Sequence, residues 1–104
     1  MTKRDLSQLM LRAWEMARAT GQAFRVCLVR SWAVFRLIRR MRAGVVQFTY
    51  EKSDGTLRTA KGTLQDVSAL VRGSGVSTPK TVRYYDVDSG GFRSFRVENL
   101  ITVH

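Results

Sequence analysis

The sequence predicts an α+β protein in which an N-terminal helical hairpin, residues 1–43, precedes a small five-stranded β-barrel, residues 44–104. Apolar residues recur at helical spacing before Gly44. Short runs of β-branched and aromatic residues, separated by turn residues, follow it. The length of 104 residues and the apolar content of 44% are enough for one modest core.

The first helix is predicted to begin at a cap formed by Asp5 or Ser7 and to end near Thr20. Its apolar residues have the i, i+3/i+4 spacing of an amphipathic helix and comprise Leu6, Leu9, Met10, Ala13, Trp14 and Ala17. Gly21 supplies the left-handed residue that commonly ends such a helix.

The second helix is predicted from about Gln22 to Met41. Its larger apolar arc comprises Phe24, Cys27, Leu28, Ser31, Val34, Phe35 and Ile38. A basic arc comprises Arg25, Arg36, Arg39 and Arg40, with Trp32 on the border between the two arcs. A smaller apolar group, which flanks Arg30, comprises Val26, Ala33 and Leu37. Because this helix is apolar on more than one side, we expect it to contact the first helix and also either the C-terminal domain or a second copy of the chain.

The second half of the chain is predicted to form five strands, from their β-branched and aromatic content. These strands are Val45–Glu51, Thr56–Leu64, Thr81–Asp88, Phe92–Val97 and Leu100–Val103. Asp54-Gly55 and Gly90-Gly91 mark tight turns. Gly62 allows a bend or a bulge in the second strand. Residues 65–71 are predicted to be a helical turn or a loop, and residues 72–80 a loop.

A domain this small protects its strand edges best by closing into a barrel, and the SH3/Sm-like barrel is the natural form for five short strands. Alternation along the third strand places Val82 and Tyr84 on one face and Arg83 and Tyr85 on the other. In the fourth strand one face carries Phe92, Ser94 and Arg96, and the other carries Arg93, Phe95 and Val97. The narrow interior has room for only one face of each strand.

The charge is concentrated in the first half of the chain. Ten of the eighteen Lys and Arg residues lie before Gly44, against two acidic residues there, within a net charge of +10 for the whole chain. Such a field attracts polyanions, so nucleic acid is the predicted partner. Arginine suits bidentate phosphate contacts. A GC-rich genome also favours Arg over Lys, although it explains less of the excess of basic over acidic residues.

Two groups of residues are predicted to bind nucleic acid, DNA or RNA. The first group, for phosphate contacts, comprises Arg25, Arg36, Arg39, Arg40 and Arg42. The second group interleaves cations and an aromatic ring on adjacent strands and comprises Arg83, Tyr85, Arg93 and Arg96. In the alternative interpretation of the second group, the aromatic residues belong to the core and the arginines form a solvated rim.

Protein binding is the alternative function. In that interpretation the hairpin is a docking surface of an adaptor or inhibitor, or a site of self-association, through Trp14, Phe24, Leu28, Trp32 and Phe35. A basic amphipathic helix lying on a membrane surface is a third possibility. A solvated basic face without a dedicated partner is the fourth.

The sequence does not predict an enzyme or a cofactor. Gly73-Ser74-Gly75 is too short for a phosphate-binding loop. Asp86 and Asp88 offer two carboxylates for a metal, but a strand end running into a turn explains them better. Cys27 lies in an apolar helical pattern and is predicted to be a buried thiol. With His104 as the single histidine, a zinc site is not expected.

No run of 18 apolar residues predicts a membrane span, because arginines interrupt residues 23–38, the most apolar stretch. The N-terminal residues also lack the apolar segment and cleavage site of a secretory signal. We therefore expect a cytoplasmic protein.

Several motifs resemble a family of short bacterial and phage-associated proteins that are described as Sm-like SH3 β-barrels related to the WYL domain. The matching motifs are Tyr84-Tyr85-Asp86, residues 92–96 (FRSFR) and residues 98–101 (ENLI), preceded by residues 45–64. The helical leader is also similar, in Ala13-Trp14, Phe24, Leu28 and Ser31-Trp32.

This resemblance implies the fold, and a setting in a phage or another mobile element. WYL domains proper are mostly ligand- or nucleic-acid-sensing modules of transcription regulators, which implies a regulator or an accessory factor. The Trp-Tyr-Leu tripeptide itself is absent, and Phe92 stands where the strand often carries Trp. The resemblance therefore predicts no particular ligand.

Overall fold

The computed structural model describes residues 2–65 and 80–104. The helices are α1 (Lys3–Thr20) and α2 (Phe24–Ala43), and a short 3-10 helix spans Val97–Asn99. The strands are β1 (Val46–Glu51), β2 (Leu57–Thr63), β3 (Thr81–Asp86), β4 (Gly91–Arg96) and β5 (Leu100–Val103). The predicted helical turn or loop at 65–71 and the loop at 72–80 fall almost wholly outside the described residues.

The five strands form one antiparallel sheet in the order β4-β3-β2-β1-β5. The β1–β2 hairpin is paired from Val46↔Gly62 to Glu51↔Leu57, whereas β2 pairs with β3 only at its last two residues. The sheet therefore curls, and the ring of Phe95 on β4 stacks on Tyr50 of β1 at a centroid distance of 4.8 Å. This contact joins the edge strand β4 to β1, which neighbours the other edge strand β5, as expected for the predicted five-stranded barrel.

Aromatic rings fill the barrel. Phe48, Tyr50, Tyr84 and Phe95 are all buried and pack on one another, and the Tyr50 and Tyr84 hydroxyls lie 2.9 Å apart. Burial, followed by this hydrogen bond, raises the pKa of the Tyr84 hydroxyl. The predicted alternation is confirmed, since β3 turns Val82 and Tyr84 inward.

The first helix begins earlier than predicted. Thr2 is its N-cap: the Thr2 side chain accepts a hydrogen bond from the Asp5 backbone N–H, and the Asp5 carboxylate accepts one from the Thr2 N–H, each at 3.1 Å. Asp5 is thus the third residue of a capping box, not the cap itself. The predicted end is confirmed, because Gly21 adopts the left-handed conformation with φ of 72°.

The buried face of α1 is rotated relative to the predicted stripe. Leu9, Arg12, Ala13 and Met16 are buried. Half of the Trp14 surface remains exposed, and Leu6 and Met10 are also exposed. The rotation arises because α1 packs against the 3-10 helix as well as against α2.

Helix α2 lies between α1 and the barrel. It contacts α1 on one side and β1, β2, β5 and the 3-10 helix on the other, which confirms the prediction of more than one contact surface. Cys27 is buried as predicted. Ser31 donates a hydrogen bond to the Leu9 carbonyl at 2.7 Å, and Arg30 donates one to the Glu98 carbonyl at 2.6 Å. Helices and strands thus share one core, and a domain boundary at Gly44 stays a prediction.

Several strand bounds differ from the predictions by one or two residues, and Val97, predicted in the fourth strand, lies in the 3-10 helix. Strand β3 ends at Asp86 instead of Asp88, because residues 87–90 form the turn into β4. The β1–β2 register is unbroken through Gly62, so this glycine marks no bulge in that pair. The missing side chain of Gly62 instead makes room for the rings of Phe48 and Tyr84.

Candidate functional site

The predicted phosphate-binding arginines of α2 all lie on the surface. We call this set the arginine face: Arg25, Arg36, Arg39, Arg40 and Arg42. Helical spacing aligns Arg25, Arg36 and Arg40 along the outer side of α2. Trp32 lies one turn before Arg36 and is 38% exposed. The structure therefore places an exposed indole within a row of cations.

The charges of the arginine face are not neutralised by the described part of the chain. The ion pairs among residues 2–65 and 80–104 are Arg18–Glu15, Arg58–Asp86, Arg93–Asp86 and Arg96–Glu98. None of them involves the arginine face. Toward the described residues, Arg40 alone of this face donates a side-chain hydrogen bond, to the His104 carbonyl at 3.3 Å.

Trp32 is held in place by its neighbour. Its ring meets the Phe35 ring edge-on, with the centroids 5.7 Å apart and the planes at 87°. This contact uses part of the indole surface and orients the rest. An exposed, oriented indole between arginines is suited to stacking on a nucleobase.

The second predicted group, Arg83, Tyr85, Arg93 and Arg96, does not lie on one face of the sheet. The Arg83 guanidinium lies 5.0 Å from the centre of the Phe92 ring, and the half-buried Tyr85 packs on the same ring at 5.4 Å. Arg96 pairs with Glu98 at 2.7 Å. Arg93 belongs to the opposite face of β4, where its Nε donates to Ser89 and lies 3.5 Å from an Asp86 oxygen. The barrel arginines are thus already engaged by other side chains, whereas the arginine face forms no ion pair within the described residues.

A groove of about 410 Å³ lies between β4 and the β1–β2 hairpin. Tyr50 and Lys52 form one wall and Phe92–Arg96 the other. Its lining combines aromatic rings and cations with one carboxylate, that of Glu51, and it is a second candidate binding surface.

The residues predicted to dock a protein are only partly available. Phe24, Leu28 and Phe35 are half-buried at the edge of the core, and Trp14 packs on Phe24 with ring centroids 4.3 Å apart. Trp14 remains 50% exposed. The two tryptophans are therefore the accessible part of this group.

Asp86 has a structural role at the end of β3. Its carboxylate accepts hydrogen bonds from Arg58 and from the backbone N–H groups of Asp88 and Ser89, which builds the predicted turn. Burial of the Asp86 carboxyl would raise its pKa, but these hydrogen bonds outweigh burial and lower it. Within the described residues, no cluster of three His, Cys, Asp or Glu side chains is placed to hold a metal ion.

A cleft between the two helices contains a buried cation that the sequence pattern does not single out. We call it the interhelical cleft, and its lining comprises Thr2, Asp5, Gln8, Arg12, Phe35, Ile38, Arg39 and Arg42. Arg12 is only 5% exposed. Its burial had one sequence signal, since it lies one turn from both Leu9 and Met16.

Neither helix of the described chain has the combination of length and apolar character that crossing a membrane requires.

Comparison with known proteins places this architecture in a family. The family model described as WYL_2, Sm-like SH3 β-barrel fold, matches residues 34–101, which begin within α2 and include β1 to β4 and the first half of β5. The chain is also 31% identical over 72 residues to an uncharacterized 11.5 kDa protein in the Gp31-cd intergenic region of Enterobacteria phage T4. This match covers 62% of the chain and 71% of the phage protein. No solved structure gives a significant match. The chain therefore belongs to the WYL_2 family of Sm-like SH3 β-barrels, and it has a relative encoded by a phage.

Proposed function

We propose that this protein binds nucleic acid through the arginine face of α2 and acts by binding instead of catalysis. The observation that carries this proposal is the combination of five exposed arginines, none ion-paired within the described chain, with the exposed ring of Trp32. Cations next to an aromatic platform are the pattern of proteins that hold a phosphate backbone and stack a base.

The contrast between the two halves supports α2 as the binding element. Arg93 and Arg96 on the barrel are ion-paired with Asp86 and Glu98. An arginine that already has a carboxylate partner must give up that interaction to bind a phosphate. The arginine face has no such partner to lose among the described residues. We propose that the groove beside β4 extends the contact but does not dominate it.

The phage relative suggests a biological setting for this activity. We propose that the protein is a regulator or accessory factor that acts on nucleic acid during phage infection or on another mobile element. A small basic binder needs no active site for such a role, because occupying a strand is enough to block or recruit other proteins.

Salt dependence tests the proposal directly. Affinity for labelled single-stranded DNA, duplex DNA and RNA is measured by fluorescence anisotropy between about 50 and 200 mM salt. Five phosphate contacts predict a loss of affinity of roughly 100- to 500-fold over this range. Absence of binding to all three ligands at the lowest salt would contradict the proposal.

Substitution of Arg36 and Arg40 by Gln is expected to flatten the slope of log affinity against log salt by about 1.8 for duplex DNA. Substitution of Arg18 and Lys61 by Gln removes the same charge from other exposed positions. This matched control should change the slope far less. Equal effects of the two double variants would show that bulk charge, not the arginine face, attracts the ligand.

Trp32→Ala separates stacking from charge. We expect it to weaken single-strand binding about tenfold and to leave the salt slope unchanged, because a stacked base contributes about 1–3 kcal/mol without releasing counterions. Trp32→Phe keeps an aromatic platform and should recover most of the affinity. Trp14→Ala, on the other helix, is the matched control.

Protein docking is the second candidate function, and the exposure of Leu6, Met10 and Trp14 favours it. These residues follow one another at four-residue spacing on one side of α1, and each is at least 36% exposed. Binding at such a surface would respond weakly to salt. Capture of a host protein that survives nuclease treatment and is lost in Trp14→Ala would support this role as an adaptor or inhibitor.

A further inference from the structure

The charge balance of the interhelical cleft is unusual. Arg12, Arg39 and Arg42 line it together, and Asp5 is the one acidic residue among its lining residues. The Asp5 carboxylate accepts the hydrogen bond from the Thr2 backbone and forms no ion pair with the three arginines. Three cations therefore line a cleft whose one carboxylate, that of Asp5, is already hydrogen-bonded to the backbone.

Arg12 is the most constrained of the three cations. It is only 5% exposed, and its Nε, which is fully buried, has no hydrogen-bond partner among the described residues. Burial lowers the pKa of the Arg12 guanidinium, and the nearby charge of Arg42 lowers it further. The group nevertheless stays charged near neutral pH. A buried charge without a counter-charge is strongly unfavourable, so an anion from outside the described chain would relieve it.

The nearest acidic residue along the helix does not supply that counter-charge. Glu15 lies one turn after Arg12, but its carboxylate pairs with Arg18 at 3.0 Å. The cleft, in contrast, has a volume of about 270 Å³, several times the share of one water molecule in the liquid, which is about 30 Å³. It is thus large enough for a tetrahedral oxyanion and the group attached to it.

We propose that the interhelical cleft is a binding site for one phosphate group, held by Arg12, Arg39 and Arg42. Forked guanidinium groups match the several oxygens of a phosphate, and three of them suit a dianion better than the single charge of a carboxylate. Phe35 and Ile38 form an apolar wall that the carbon atoms of a phosphate ester can contact.

This site shares Arg39 and Arg42 with the arginine face but goes beyond the proposed nucleic-acid function, because the cleft around Arg12 would hold a phosphate group whether or not a strand binds along Arg25, Arg36 and Arg40. A free ion and the end of a nucleic acid are the two sources of such a group. The chemistry of recognition is the same in both cases, and the experiment distinguishes the two sources.

The test is thermal unfolding of the full chain in inorganic phosphate, compared with chloride at equal ionic strength. At phosphate of roughly ten times its dissociation constant, the melting temperature should rise by about 6–9 °C. Arg12→Met should abolish this rise. It should not lower the melting temperature in chloride, because it replaces an unpaired buried charge by an apolar side chain.

Two further variants make the result specific. Arg42→Gln changes an exposed position and should reduce the phosphate response without threatening the fold, whereas Arg36→Gln, outside the cleft, should keep it. An absent phosphate response, or an equal response in wild type and Arg12→Met, would overturn the proposal. Equal protection by acetate would overturn the assignment to phosphate.

The source is resolved by oligonucleotides of one sequence with and without a 5′-phosphate. Tighter binding of the phosphorylated strand, lost in Arg12→Met, assigns the site to a nucleic-acid end. If inorganic phosphate protects through Arg12 but the two strands bind equally, the site takes a free phosphate. A protein that binds no strand but keeps the Arg12-dependent phosphate response would refute the proposed function and leave this site intact.

Discussion

Substitution of Asp86 by Asn is expected to destabilise the protein by about 3 kcal/mol, although the two side chains have nearly the same shape. The Asp86 side chain is only 1% exposed, and one of its oxygens lies 2.5 Å from Arg58. The other oxygen accepts hydrogen bonds from the backbone N–H groups of Asp88 and Ser89. All of these neighbours are donors. The amide group of Asn therefore sets a donor against a donor in either orientation.

Chemical unfolding in urea measures the effect. Asp88→Asn is the matched control, because Asp88 is exposed in the same turn and forms no ion pair among the described residues. Asp88→Asn should change the free energy of unfolding by no more than about 0.5 kcal/mol. An Asp86→Asn variant that unfolds at the same urea concentration as wild type would contradict a structural role for the Arg58–Asp86 pair.

The same carboxylate predicts a pH dependence. The pKa of Asp86 is lowered in the folded state, so its stabilisation is fully present above the unfolded value of about 3.9. It is lost as the pH falls through the folded pKa. The stability difference between wild type and Asp86→Asn should therefore shrink below about pH 4. Hydrogen bonds also lower the pKa values of Asp5 and Asp54, so the variant keeps part of the acid sensitivity.

Substitution of Gly62 by Ala is expected to lower the free energy of unfolding by about 3 kcal/mol. This is the upper end of the usual cost of adding volume to a well-packed core. A Cβ at this position would lie 2.7 Å from Cδ2 of Tyr84 and 2.9 Å from Cε1 of Phe48. Both rings are completely buried and pack edge-to-face, 5.0 Å apart. Neither ring can move away without disturbing the other aromatic residues of the barrel.

Thermal unfolding should show this cost as a loss of roughly 12–20 °C. Gly91→Ala is the matched control in a strand, because a Cβ there would meet no described heavy atom within 4 Å beyond its chain neighbours. A Phe48→Leu substitution provides a second test. Phe48→Leu should destabilise the Gly62→Ala variant less than it destabilises the wild type, because the smaller side chain leaves room for the added Cβ of residue 62. Additive effects would indicate that the strain lies elsewhere.

Local signals in the sequence predicted most of the fold. The left-handed Gly21, the Asp54-Gly55 turn and the alternation around Val82 and Tyr84 each act over a few residues. Some errors occurred where a distant contact decides the outcome, as at Gly62, which lies against the rings of Phe48 and Tyr84. The end of β3 at Asp86 is in contrast local, because its carboxylate accepts hydrogen bonds from the backbone N–H groups of Asp88 and Ser89, and the distant Arg58 adds a further hydrogen bond to it.

The arginine face was predictable for the same reason. A period of 3.6 residues places Arg25, Arg36 and Arg40 on one side of a helix regardless of what the other sides contact. The burial of Arg12 was not predictable in this way, because it depends on how α2 packs against α1. Arg93 was grouped with the wrong neighbours for a different reason: the alternation of β4 already separates it from Phe92 and Arg96, and its interaction with Asp86 lies within the β3–β4 hairpin.

The hydrogen bond from Arg30 to the Glu98 carbonyl has a consequence for synthesis on the ribosome. The two residues are 68 positions apart, so α2 cannot complete its packing until the last strands of the barrel have emerged from the ribosome. At about 5–20 residues per second this delay is roughly 3–14 s. During that time the part of α2 that contacts β5 and the 3-10 helix in the finished protein has no partner from them. Slow translation of the strands lengthens this exposure, so the yield of native protein depends on translation rate as well as on stability.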